Sequence, residues 1–143
     1  VILYYDTSAL IKRYVDEEGT ETVDRLWSTS SNIATSVVAF AEAAAVFSRK
    51  LREGLLSEKE HAQALSVLKA DFDSLILIPV TTALNETIER LVRRYPLRGF
   101  DAVHLSSALL FRHSGSIPVH FACFDRTLNE AALREGLVIA IQA

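Results

Sequence analysis

Val1 to Tyr5 is an unbroken apolar run rich in β-formers, and Asp6-Thr7-Ser8 follows it without a spacer. A strand apolar at every position is buried on both faces, which points to a parallel sheet rather than an antiparallel one with a wet side. Leu75 to Ile78 and Val119 to Phe124 read as further buried strands, with a short one at Ile33 to Thr35 and a last one at Leu137 to Ile141. Helical patterns fill the gaps. One runs from Asp6 to about Tyr14, one covers Thr20 to Thr29, and a long one capped by Ser36 reaches Arg52 and ends at Gly54. Ser57 and Glu60 form a capping-box pair, Thr82 opens a helix that Pro96 and Gly99 stop, and Asp101 opens the next. Thr127 and Glu130 repeat the capping box over a short helix closed by Gly136. Strands alternating with helices imply an α/β fold, a three-layer sandwich with a central parallel sheet.

Composition fits one globular domain spanning residues 1–143: half the residues are hydrophobic and 23% are charged. A chain of this length buries roughly 68–70% of its unfolded surface, so its core needs neither disulfide nor metal. Cys123 is the only cysteine, which fits a reducing compartment, and the cytoplasm is the expected location. No apolar run approaches the roughly 20 residues of a membrane span, and no basic-then-apolar leader is seen. The chain holds no Met, so the expectation is that the initiator was removed, replaced or stands just before Val1. A formal charge of −3 argues against holding nucleic acid by bulk positive charge, though not against an enzyme that touches it briefly.

In open parallel sheets the ligand site lies at the carboxyl ends of the strands. Asp6 and Asp125 both follow an apolar run and precede a helix, and Asp101 stands at a helix start. Each is equally read as a helix-capping acid. Glu42 is the only polar residue from Val37 to Phe47, on a helix otherwise apolar all round and therefore expected to be buried. A buried carboxylate costs several kcal/mol unless something neutralises it. Either Glu42 meets water or Arg49 at a partly exposed face, or it binds a metal. Four converging acids would repel one another, by about 4 kcal/mol per pair 4 Å apart at an effective dielectric of 20. All-oxygen ligands favour Mg²⁺ or Mn²⁺, and no His/Cys cluster suggests zinc. Two such ions would take the formal charge from −3 to +1 and let the protein accept a polyanion, as phosphodiester hydrolysis requires.

The blocks Asp6-Thr7-Ser8-Ala9-Leu10, Ala39-Phe40-Ala41-Glu42-Ala43, Arg98-Gly99-Phe100-Asp101-Ala102-Val103-His104-Leu105 and Phe124-Asp125-Arg126-Thr127-Leu128, with Ala131-Ala132 after, resemble the PIN-domain ribonucleases. VapC-like toxins of toxin–antitoxin pairs are the members it is most similar to. The resemblance covers nearly the whole chain in order. It implies Mg²⁺- or Mn²⁺-dependent cleavage of RNA, a homodimer and inhibition by a cognate VapB-like antitoxin. It also implies that Asp6, Glu42, Asp101 and Asp125 are the catalytic, metal-binding quartet, with Thr7 or Ser8 ordering the acidic centre.

Thr7 and Ser8 serve equally as caps of the first helix. Lys12, Arg13 and Arg98 are candidate RNA contacts, with Arg90, Arg93 and Arg94 in the same basic stretch, although charge clusters on helices are commonly solvated faces. His104, one turn beyond Asp101, reads as a core histidine before a substrate contact; Asn129 reads as surface solvation and Cys123 as packing. Leu10, Ile11, Tyr14, Trp27, Phe47 and Leu51 offer apolar helix surface for a dimer or for internal packing. Two other functions are weighed. A haloacid-dehalogenase-like phosphatase needs Asp-x-Asp, but Ser8 holds the third position. A non-catalytic RNA or protein interaction module on the same fold would have no use for the four acids.

Overall fold

Strand β1 (Ile2–Tyr5) is buried at all four positions and lies at the centre of a five-stranded sheet, in the computed structural model that describes residues 1–113, 115 and 117–142. The order is β3-β2-β1-β4-β5 and every pairing is parallel, with β2 at Ile33–Ser36, β3 at Ile76–Ile78, β4 at Val119–Ala122 and β5 at Val138–Ile139. Register is set along β1, where Tyr4 stands opposite Ala34 on one side and Phe121 on the other. The period of two then sends alternate residues to opposite faces. Ile2 and Tyr4 join one core, Leu3 and Tyr5 the other.

Among the described residues seven α-helices cover the two faces. Helices α1 (Thr7–Leu10), α2 (Thr20–Ser28), α3 (Val38–Arg52) and α4 (Glu58–Phe72) pack over Leu3 and Tyr5; α5 (Asn85–Arg94), α6 (Gly99–His113) and α7 (Arg126–Arg134) pack over Ile2 and Tyr4. The expected three-layer α/β sandwich is what the chain forms. The α4 capping box is present as read, Ser57 accepting from the Glu60 amide and the Glu60 side chain from the Ser57 amide.

Local readings shift at several points, each for a tertiary reason. β3 is an edge strand, so Ile76 is exposed rather than buried. The last strand shortens to Val138–Ile139, because β4 offers it only two partner positions. The cap of α7 is Asp125, whose side chain accepts from the Leu128 amide, so Thr127 lies inside the helix rather than at its cap. Helix α3 is not buried all round. Its buried stripe is Ala39, Ala43 and Phe47, while Ala41 and Ala45 face outward. The apolar surface considered for a dimer is largely internal: Leu10 and Phe47 are fully buried, and Ile11, Tyr14 and Trp27 pack against the same core.

One glycine at the N-terminus of α2 is forced by its surroundings. Gly19 has φ +98°, and a Cβ there would stand 2.7 Å from the Phe124 ring and 2.9 Å from Lys12. Gly19→Ala is expected to lower stability by about 1–3 kcal/mol, combining an unfavourable backbone with overpacking. Urea denaturation measures it; a variant as stable as the parent would mean that Phe124 yields freely.

Candidate active site

The chain runs from β1 through β2 to β3 on one side, then returns to place β4 on the other side of β1. The segments after β1 and β4 therefore leave toward opposite faces, the switch point at which open parallel sheets carry their ligand sites. Asp6 occupies the first of these segments. It is 4% exposed and caps α1, its Oδ1 accepting from the Ala9 amide at 3.0 Å and the Ser8 hydroxyl at 2.8 Å. Capping and site chemistry are thus compatible in one residue. Burial pushes the Asp6 carboxyl above its ordinary range, and the nearby His104 charge and these hydrogen bonds only partly oppose that. The cause is desolvation, not the mutual repulsion of acids that the sequence suggested.

Both hydroxyls after Asp6 act as ties. Ser8 donates to Asp6 and accepts from the Phe124 amide at 3.1 Å, joining α1 to the segment beyond β4. Thr7 donates to Glu42 Oε1 at 2.7 Å, joining α1 to α3. Buried Cys123 lies behind Asp6. Its Sγ accepts from the Asp125 amide at 3.1 Å, and burial, reinforced by the Asp6 charge, pushes the thiol far up and keeps it neutral.

Glu42 is half-buried and meets neither Arg49 nor water alone. His104 Nε2 approaches the same Oε1 at 2.8 Å, and Arg49 is instead beside Glu53 at 3.9 Å. Burial raises the Glu42 carboxyl, but the hydrogen bonds from His104 and Thr7 and the His104 charge outweigh it and hold the group below its ordinary range. His104 is 2% exposed, and its Nδ1 is 2.9 Å from the Tyr4 hydroxyl. It is a core histidine by burial, and it also touches a candidate ligand. Sequence reasoning missed Tyr4 and this contact; the usable signals were the unmet need of Glu42 for a partner and the spacing of His104 three residues after Asp101.

Asp101 sits in the first turn of α6, where its Oδ2 accepts from the Arg98 amide at 3.2 Å. That is half of a capping box, so the helix begins two residues before Asp101 rather than at it. Asp125 accepts from the Leu128 amide through Oδ1 at 2.9 Å. Among the described residues the four acids share one feature: each has a carboxylate oxygen held by a hydrogen bond from the protein. No three His, Cys, Asp or Glu side chains among the described residues close into a ready-made metal cluster. Carboxylate oxygens of this kind are the donors that a hard divalent cation would take.

The cations are differently employed than their sequence positions suggested. Lys12 bonds Glu17 at 3.1 Å and the Glu18 carbonyl at 2.7 Å and lies over the Phe124 ring. Arg13 bonds Asp71 at 2.8 Å and stacks on Trp27. Arg90 and Arg94 pair with Glu135. Arg98 is exposed, close to Asp101, and beside it Phe100 is 58% exposed. A groove of about 740 Å³ runs next to the Phe124 segment, with Lys12, Thr22, Arg25 and Gln142 in its walls. Asn129, read as a surface residue, is 7% exposed and donates to the Cys123 and Ile141 carbonyls at 3.0 and 3.2 Å, lacing the end of β4 to the C-terminal segment.

Comparison with known proteins agrees with this architecture. The PIN domain family profile matches residues 3–132. The chain is 30% identical over 139 residues to Ribonuclease VapC45 of Mycobacterium tuberculosis (strain CDC 1551 / Oshkosh), covering 97% of this chain and 94% of that one. Ribonuclease VapC49 of strain ATCC 25618 / H37Rv matches with the same figures. Among solved structures, VapC20 of M. tuberculosis, described as a sarcin–ricin loop cleaving toxin, superposes with a TM-score of 0.68 at 18% identity over 99% of both chains. A toxin–antitoxin complex from Klebsiella pneumoniae gives 0.69 at 17% identity, again over 99% of both chains. At those identities the structural likeness speaks for the fold.

Proposed function

This chain belongs to the PIN-domain family, and from that premise we propose that it is a metal-dependent ribonuclease, the toxin of a toxin–antitoxin pair. The observation that carries the reading is the set of four acids, Asp6, Glu42, Asp101 and Asp125, each anchored by a hydrogen bond from the protein. Asp6, Glu42 and Asp101 are the principal ligands, and Asp125 completes the site or holds a second ion. Mg²⁺ or Mn²⁺ held there would supply an activated water and charge to stabilise the leaving oxygen. The chain's own part is to hold the acids in place: Ser8 and the Ala9 amide fix Asp6, Thr7 and His104 fix Glu42, and the Arg98 amide fixes Asp101. Arg98 and Phe100 are exposed and would meet a phosphate and a base, and the groove past Phe124 would take the strand onward.

The test is incubation with total cellular RNA, with Mg²⁺, Mn²⁺ or EDTA, and mapping of the new ends. Cleavage with either ion and none in EDTA is expected. Hydrolysis of p-nitrophenyl phosphate with intact RNA would favour the phosphatase, and inertness toward both the interaction module. A VapB-like antitoxin, a homodimer and a cytoplasmic location belong to the same proposal. Among the described residues no helix is long and apolar enough to cross a membrane. A monomer in light scattering at micromolar concentration would remove the dimer.

A further inference from the structure

We propose that His104, anchored by Tyr4, is a positioning residue that locks Glu42 Oε1 and so presents Oε2 to the metal; this rests on the metal-dependent reading above.

The chain of contacts begins in the core. Tyr4 has no exposed surface, and its ring stacks on Phe121 at 5.6 Å with planes 6° apart while meeting His104 edge-on at 5.9 Å. Burial raises the phenol far above its ordinary range, so Tyr4 keeps its proton and can donate it to His104 Nδ1, 2.9 Å away. With Nδ1 facing the Tyr4 hydroxyl, Nε2 is the ring nitrogen directed at Glu42 Oε1, 2.8 Å away. Thr7 sends its own hydrogen to the same oxygen at 2.7 Å. Thr7 Oγ1 and His104 Nε2 are themselves 3.1 Å apart, so Oε1 is the shared acceptor of two close donors. Side-chain exposure rises from 3% at His104 to 27% at Glu42, so the relay ends on a carboxylate that reaches solvent.

Turning Glu42 away would break two hydrogen bonds and strand a buried imidazole nitrogen, which is costly. Four elements contribute: β1 through Tyr4, α1 through Thr7, α3 through Glu42 and α6 through His104. The arrangement has the logic of outer groups that orient a ligating side chain and whose loss weakens metal affinity or activity by about 10–100-fold.

The test compares His104→Leu, His104→Gln and Tyr4→Phe, each first shown to be folded by its melting transition. Free Mn²⁺ is titrated by electron paramagnetic resonance, and kcat and KM for RNA are measured separately. His104→Leu should weaken Mn²⁺ binding by about 10–100-fold and leave KM for RNA unchanged. His104→Gln keeps an N–H where Nε2 stood and should bind within a few fold of the parent; Tyr4→Phe should fall between. A folded His104→Leu with parental Mn²⁺ affinity overturns the proposal, as does an equal loss in the Gln and Leu variants, which would mean that ring packing alone matters. A parent protein that binds Mn²⁺, loses it in His104→Leu and still leaves RNA intact would sink the ribonuclease reading while upholding this one.

Discussion

Asp6→Asn should abolish RNA hydrolysis, a loss on the order of 10³-fold or more, while raising the melting temperature of the metal-free protein at neutral pH. Asparagine caps a helix as well as aspartate does and has the same shape, so the bonds from Ser8 and the Ala9 amide to Oδ1 survive. What disappears is a charge held at 4% exposure. Because burial raises the folded-state pKa of Asp6, the folded protein binds that proton more tightly than the unfolded chain does. The ionised group therefore opposes folding at neutral pH, and the deficit is relieved as pH falls through the folded value. Asparagine carries no such deficit, so the gap between variant and parent should close on acidification. Glu42 has the opposite sign: its lowered pKa adds stability above the unfolded value that is lost as pH falls through the folded one. Glu42 is common to both proteins, so the difference between their melting curves in EDTA isolates Asp6. A gap that stays constant with pH would remove the burial argument, and retained cleavage would remove the mechanism.

Phe47→Ala should destabilise the protein by about 3–5 kcal/mol, a large part of the roughly 5–15 kcal/mol that holds a domain together. Phe47 is fully buried and meets Tyr14 edge-on at 6.0 Å. It ends the buried stripe of α3, whose other members are Ala39 and Ala43. Alanines have no bulk with which to fill the gap, so the cavity should persist. Urea denaturation with an unchanged slope is the measurement. A loss below roughly 1 kcal/mol would show that α3 collapses inward, and the position of Glu42 on that helix would then have to shift as well.

The strands and helix caps were legible wherever the signal was local. An apolar run ending in aspartate announced β1 and Asp6, since a both-faces-buried strand has no alternation to conceal it. Ser57 and Glu60 announced the start of α4, because a capping box involves only neighbours three residues apart. The hydroxyls of Thr7 and Ser8 were open to two readings, cap or site, and the structure shows ties to α3 and to the segment after β4.

Tertiary structure decided the remainder, because those properties depend on which distant surfaces meet. Nothing in Leu75 to Ile78 marks an edge strand; the sheet order does. Nothing local to α3 marks Ala41 and Ala45 as outward-facing, because burial on a helix depends on what packs beside it. The commitment of Arg13 to Asp71 spans 58 residues, the contact of His104 with Glu42 spans 62, and that with Tyr4 spans 100. Separations of that size leave no periodic trace in a sequence. The need of Glu42 for a neutralising partner was readable from the chemistry of a carboxylate on an apolar helix. Which partner met that need depended on the return of the chain that lays α6 across β1.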